Sequence, residues 1–161
     1  MELLDRMQYA SEAILEGDKL MEEGNIKDAI EAYKTAVEFL PTWKTLNKLG
    51  EAHYADKNYL DAFKRNFEAM ALNPDIGKVK HDLGLIEYQN GRFDRSIYFF
   101  EQALLDEALP EKDLAILYLG MCNYELNEWG RALHYYEIYS QFHPEDEDIK
   151  FIMNDIRRQI N

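Results

Sequence analysis

The stretch Leu46-Asn47-Lys48-Leu49-Gly50-Glu51-Ala52-His53-Tyr54, continued by Tyr59, Ala62, Phe63, Ala69 and Pro74, decides the fold. Apolar and small residues recur there at helical spacing on both sides of a short polar break, which reads as two amphipathic helices joined by a tight turn. The same skeleton occurs once before it and twice after it. Gly50 is answered by Gly17, Gly84 and Gly120, and Pro74 by Pro41, Pro110 and Pro144. Successive glycines stand 33, 34 and 36 residues apart. A period of this length marks an array of helical hairpins, each burying its apolar face against the next. The period predicts an all-α chain, and it points to binding rather than catalysis.

Working outward, the repeats account for nearly the whole chain of 161 residues, read as one domain over 1–160. The first unit spans 10–42, the second 43–76, the third 77–112 with a two-residue insertion, and the fourth 113–146; a capping helix follows over 147–160. Residues 1–9 lack a breaker, and Leu3, Met7, Ala10 and Ile14 continue the spacing, so they extend the first helix. Glu23-Gly24-Asn25 makes a turn for which glycine suits the left-handed backbone. Pro41 ends one helix and Thr42 caps the next. Pro110, in the lengthened join, suits the first turn of a helix. In the last helix Ile149, Ile152, Met153, Ile156 and Ile160 share a face, as a cap on an open-ended array requires.

The bulk composition narrows the function. Forty-seven percent hydrophobic and thirty percent charged residues belong to an ordinary soluble class. A net charge of −13 opposes a grip on nucleic-acid phosphates or on an anionic membrane. One cysteine, Cys122, leaves no intrachain disulfide and suits a reducing compartment. The acidic start is unlike a signal peptide and no stretch is long and apolar enough to span a bilayer, so a cytoplasmic location is expected.

The pattern of Leu-Gly, an aromatic a few residues on, Ala, an aromatic four residues later, Ala, then Pro resembles the tetratricopeptide repeat. Four copies in register cover residues 10–146, with the cap beyond. No copy has the tryptophan that often precedes Leu-Gly, and Asn66 stands where the second unit should carry an aromatic. The resemblance implies a right-handed α-solenoid in which first helices line a concave groove. It also implies a non-catalytic adaptor or scaffold holding a peptide or helix of a partner protein. Carried over position by position, the groove would be lined by Lys44, Asn47, Lys48, Glu51 and Tyr54 from the second unit. The third would add Lys78, His81, Asp82, Leu85 and Tyr88, and the fourth Leu117, Tyr118, Met121 and Tyr124. The clamp that some relatives use for chaperone tails is not expected, because its positions hold Ile14, Asp18, Lys48, Lys78 and Asp82 and only Lys78 matches.

Two features of this list bear on the ligand. Residues 44–80 carry seven basic and five acidic side chains within an otherwise acidic chain. If Lys44, Lys48 and Lys78 face one hollow, they favour an acidic peptide or a free carboxylate; otherwise they are simply solvated. Tyr54, Tyr88 and Tyr124 either grip apolar side chains or serve the repeat's own packing. Leu85, Leu117, Tyr118 and Met121 suggest an apolar end, so the expected partner is an acidic, amphipathic protein segment. Two further readings stand beside the adaptor: a small chaperone similar to the type III secretion translocator chaperones, and a module that self-assembles through Leu3, Leu4 and Met7. No glycine loop, zinc spacing among His53, His81, His134 and His143, or nucleophile set is found, so neither cofactor, metal nor catalysis is expected. Glu145-Asp146-Glu147-Asp148 opens the last helix, where acids complement the helix dipole.

Overall fold

The computed structural model describes residues 2–160. Among them there are nine α-helices and no strand. They are α1 (Leu3–Glu22), α2 (Ile26–Phe39), α3 (Trp43–Ala55), α4 (Tyr59–Leu72), α5 (Gly77–Gln89), α6 (Phe93–Ala103), α7 (Lys112–Glu125), α8 (Trp129–Phe142) and α9 (Glu147–Ile160). The chain divides into two compact units, Met1–Asp82 and Leu83–Asn161, the division falling within α5. None of the described helices is long and apolar enough to cross a membrane.

In the first unit α1 packs on α2, α2 on α3 and α3 on α4. The two hairpin turns share one geometry. The seventh residue after each repeat glycine is left-handed: Gly24 at φ 78° and Lys57 at φ 60°. The next N–H then reaches back to close the helix, Asn25 to Leu20 O at 2.8 Å and Asn58 to His53 O at 2.9 Å. Between hairpins, Thr42 caps α3. Its hydroxyl accepts from the Thr45 N–H at 3.2 Å while the Thr45 hydroxyl accepts from the Thr42 N–H at 2.9 Å, a capping box built from two threonines. The helix over the first residues continues into α1, and its N-terminal turns are held against α2. Tyr9 stacks on Phe39 at 5.2 Å, and Arg6 Nε donates to Phe39 O at 2.8 Å. Leu3, Leu4 and Met7 remain exposed.

In the second unit α6 packs on α7, α7 on α8 and α8 on α9. Gly91 (φ 68°) and Asn127 (φ 59°) repeat the left-handed turn. The lengthened join corrects one expectation. Pro110 does not enter a helix; it lies in the turn before α7, which starts at Lys112 after the N-cap Glu111. Leu109 explains why. It is buried with Phe100, Ala103, Ala115 and Leu119, and Asp106 Oδ1 accepts from the Ala108 N–H at 2.9 Å, so the loop is pinned before the proline is reached. On α9, Ile149, Met153 and Ile156 are buried with Tyr136 and Tyr139, and Ile152 packs against that cluster. Ile160, expected on the same face, is exposed.

The repeat glycines do one job throughout. Each lies under the side chain sixteen residues later on the following helix. A Cβ on Gly17 would stand 2.5 Å from the Tyr33 ring, on Gly84 2.9 Å from Phe100, and on Gly120 2.8 Å from Tyr136. At Gly50 the overlying group is the Asn66 amide. Contacts this close leave no room for a methyl group, so glycine here sets the distance between the helices of a hairpin.

Candidate functional site

In the first unit, Lys44, Asn47, Lys48 and Glu51 of α3 and Lys78 of α5 line one hollow of about 340 Å³, together with Trp43. The period places them there, because residues three, four and seven apart on α3 share a face. Trp43 was not singled out from the sequence, where the repeat pattern has no aromatic at that place. The hollow differs in charge from the expectation. Lys48 Nζ pairs with Asp18 Oδ1 at 2.7 Å, and Lys78 Nζ pairs with Glu51 at 2.7 Å and Asp82 at 2.6 Å. Carboxylates from neighbouring repeats therefore answer two of the three lysines, and only Lys44, which lies 5.6 Å from the Trp43 ring centroid, is exposed. A predominantly positive hollow is not what the folded chain presents.

Beneath the lysines lies a buried polar chain. Asn47 Nδ2 donates to Asn66 Oδ1 and to Asp82 Oδ2, both at 2.7 Å, and Asn66 Nδ2 donates to Ala62 O at 3.1 Å. This accounts for the missing aromatic in the second repeat. Asn66 takes the ring's place over Gly50 and spends its polar atoms on Asn47 and the α4 backbone. Burial works to raise the Asp82 carboxyl, but the His81 ring, the Lys78 ammonium and the Asn47 amide outweigh it and hold the group below the usual carboxylate range. Burial likewise opposes the charged form of Lys78, yet Asp82 and Glu51 raise it well above an ordinary lysine. Asp18 makes a second set, accepting from the Tyr33 hydroxyl at 2.6 Å as well as from Lys48. Asn47, His81 and Asp82, expected on a groove surface, are thus buried structural groups. Tyr54 is half-buried against Tyr59, ring centroids 5.5 Å apart.

In the second unit Tyr88 of α5 and Leu117, Met121 and Tyr124 of α7 line a hollow of about 290 Å³. Its other walls are Glu125, Tyr136 of α8, and Ile149 and Ile152 of α9. The hollow is mainly apolar. Tyr88 and Tyr124 each also pack edge-on against the first aromatic of the following helix, Phe93 at 5.6 Å and Trp129 at 5.2 Å, so they serve packing and lining together. Tyr118 and Leu85 lie deeper, packed against the cluster around Phe100, on which Tyr118 stacks at 5.3 Å. Ile149 and Ile152 escape a reading based on repeat positions, because α9 belongs to no complete repeat.

The other reactive groups are absorbed by the fold. Cys122 is buried, its thiol pushed up to about 11 by burial, and it donates to Ser96 Oγ at 3.3 Å. His143 is bonded to Asp113 at 2.6 Å and stacks on Tyr139 at 4.6 Å. Among the described residues no group of three His, Cys, Asp or Glu side chains could hold a metal ion.

The family model described as Tetratricopeptide repeat matches residues 14–75 and 81–147. Among solved structures, the chain is similar to PilF of Pseudomonas aeruginosa with a TM-score of 0.84 at 18% identity, over 96% of this chain and 70% of that one. It is similar to YrrB, described as a repeat protein with an unusual peptide-binding site, with a TM-score of 0.77 at 16% identity over 91% of this chain and 75% of that one. MamA matches with a TM-score of 0.76 at 21% identity, over 86% of this chain and 81% of that one. These likenesses establish the fold class as an all-α solenoid, as the period predicted. Proteins of this kind generally mediate contacts between proteins. With its repeats matched over most of their length, the chain belongs to the tetratricopeptide repeat family.

Proposed function

We propose that this protein is a non-catalytic binding module that holds a segment of a partner protein through an apolar side chain seated in the hollow of the second unit. The observation that supports this is the hollow itself. Leu117, Met121, Ile149 and Ile152 leave apolar surface around about 290 Å³ of space, with the Tyr88 and Tyr124 rings beside it and Glu125 the one charged wall. A few polar groups around an apolar concavity are what a peptide side chain needs for affinity and orientation. The paired lysines of the first unit argue for a polar contact there rather than for a site selective for acidic peptides.

Panning a displayed peptide library against the folded protein tests this. Enriched peptides should share one bulky apolar residue, and Ile152→Glu, checked for fold by circular dichroism, should abolish their binding while Lys44→Glu changes it little. Enrichment of acidic peptides that depend on Lys44, or binding that survives Ile152→Glu, would sink the proposal.

A second reading rests on α1. Leu3, Leu4 and Met7 stand exposed on a helix that is otherwise fastened to Phe39, which suits self-association. Light scattering over a concentration series decides it: a mass of one chain at every concentration rules it out.

A further inference from the structure

Glu125 stands on the wall of the apolar hollow in the second unit, and nothing in the fold answers its charge. On α7, Leu117, Met121, Tyr124 and Glu125 share one face, because the last three follow Leu117 by four, seven and eight residues. Glu125 is the last residue of that helix, one turn beyond Met121, and its side chain is exposed. Among the described residues no lysine, arginine or histidine pairs with it. A carboxylate at the C-terminal end of a helix meets the negative end of the helix dipole, so without a counter-ion this one works against folding. The same place in the other repeats holds Glu22, Ala55 and Gln89, so the repeat itself does not require an acid there.

The charge is felt inside the hollow. Tyr88 and Tyr136 both line it, and both hydroxyls are raised, by burial first and with the Glu125 carboxylate contributing in each case. The other walls, Leu117, Met121, Tyr124, Ile149 and Ile152, offer no positive charge. The wider field has the same sign. Residues 83–161 carry 15 acidic and 7 basic side chains, and of the basic ones Lys150 is engaged by Glu147 at 2.7 Å and Arg157 by Glu137 at 2.9 Å. An apolar side chain that fills the hollow takes water away from the carboxylate beside it. A neutral segment leaves that loss unanswered, an acidic one adds repulsion, and a cation offsets it.

We propose that the segment seated in this hollow is basic: beside its apolar residue it carries a lysine or arginine whose cation pairs with Glu125 at the carbonyl end of α7. This preference rests on the apolar side chain already proposed for the hollow, and adds the sign of the charge next to it. It is the opposite of the acidic partner that the sequence alone suggests. The lysines behind that expectation lie in the first unit, where Lys48 is paired with Asp18 and Lys78 with Glu51 and Asp82.

The test pans one displayed library of random heptapeptides against the native protein and against Glu125→Gln in parallel. The substitution keeps the shape of the side chain, and at an exposed helix end it should leave the melting temperature unchanged or raised. Peptides enriched on the native protein should share a bulky apolar residue with lysine or arginine close to it. Those enriched on Glu125→Gln should keep the apolar residue and lose the basic neighbour. Titration calorimetry with a synthetic copy of the most enriched peptide gives the magnitude. Replacing its basic residue by glutamine should weaken binding to the native protein about fivefold, and to Glu125→Gln by less than about twofold. The difference on the native protein should shrink as sodium chloride is added. An apolar consensus with a neutral or acidic neighbour overturns the basic preference and leaves the hollow a site for apolar side chains. A basic neighbour favoured equally on Glu125→Gln overturns it as well, since the preference would then reflect only the net charge of the chain. Absence of any shared apolar residue removes the hollow as a site, and the basic preference with it.

Discussion

At the scale of single residues, the small ones carry the most information. The Phe100 ring that covers Gly84 is fully buried and has no space to retreat. Gly84→Ala should therefore cost about 2 kcal/mol in urea unfolding, although alanine is the better helix former. Gly130→Ala, with nothing near its Cβ, should instead be neutral or stabilising by about 0.5 kcal/mol. Equal effects at the two sites would refute the close-approach account. Asp82 gives a pH dependence with a definite sign. Its folded carboxyl titrates below the unfolded one, so its contribution to stability is complete above the ordinary carboxylate range and is lost as pH falls through the folded value. The urea midpoint of the native protein should fall more steeply from pH 5 to pH 3 than that of Asp82→Asn, with the flattest profile above pH 5. A parallel decline in both would remove Asp82 from the acid response.

At the scale of elements, the hairpin turn and the paired helices are where sequence and conformation pull against each other. Lys57 occupies a left-handed turn position that Gly24 and Gly91 fill without strain. Lys57→Gly should stabilise the fold by about 1 kcal/mol, whereas Asn127→Gly should gain only a few tenths, because asparagine tolerates that backbone. Thermal unfolding of the two variants side by side checks the ranking. The second repeat offers a sharper case. A consensus argument would restore an aromatic at Asn66. The structure predicts the opposite: Asn66→Phe removes the acceptor that holds Asn47 and leaves a buried amide N–H unmade, so the variant should lose about 1 to 2 kcal/mol. A gain in stability would show that the polar chain through Asn47, Asp82 and Lys78 is dispensable.

At the scale of the whole molecule, charge dominates. Thirty-one acidic side chains face eighteen basic ones, so even complete pairing leaves thirteen carboxylates unanswered. Self-repulsion of that excess weakens the folded state, and salt screens it. Exposed ion pairs such as Lys34 with Glu31 and Lys150 with Glu147 lose by the same screening, but pairs of this kind contribute little. The melting temperature should therefore rise with added sodium chloride, by about 2 to 4 °C for each ~1 kcal/mol relieved. A fall would mean that the ion pairs outweigh the repulsion.

What the sequence determined by itself was the repeat. Its period, its glycines and its prolines are local signals, and they led directly to the helical hairpins, the left-handed turn at Gly24 and the Thr42 cap. The family followed from the same residues. What lay between repeats was decided by tertiary structure. Whether Lys48 and Lys78 stay free depends on Asp18 and Glu51, which sit on other helices and come within 3 Å only when helices pack; Asp82, four residues from Lys78 on α5, is the local partner. The role of Asn66 depends on Asn47 nineteen residues away. Leu109 holds Pro110 out of α7 through a buried contact that a proline rule cannot anticipate. Periodicity reports which way a side chain faces; which neighbour meets it is set by packing.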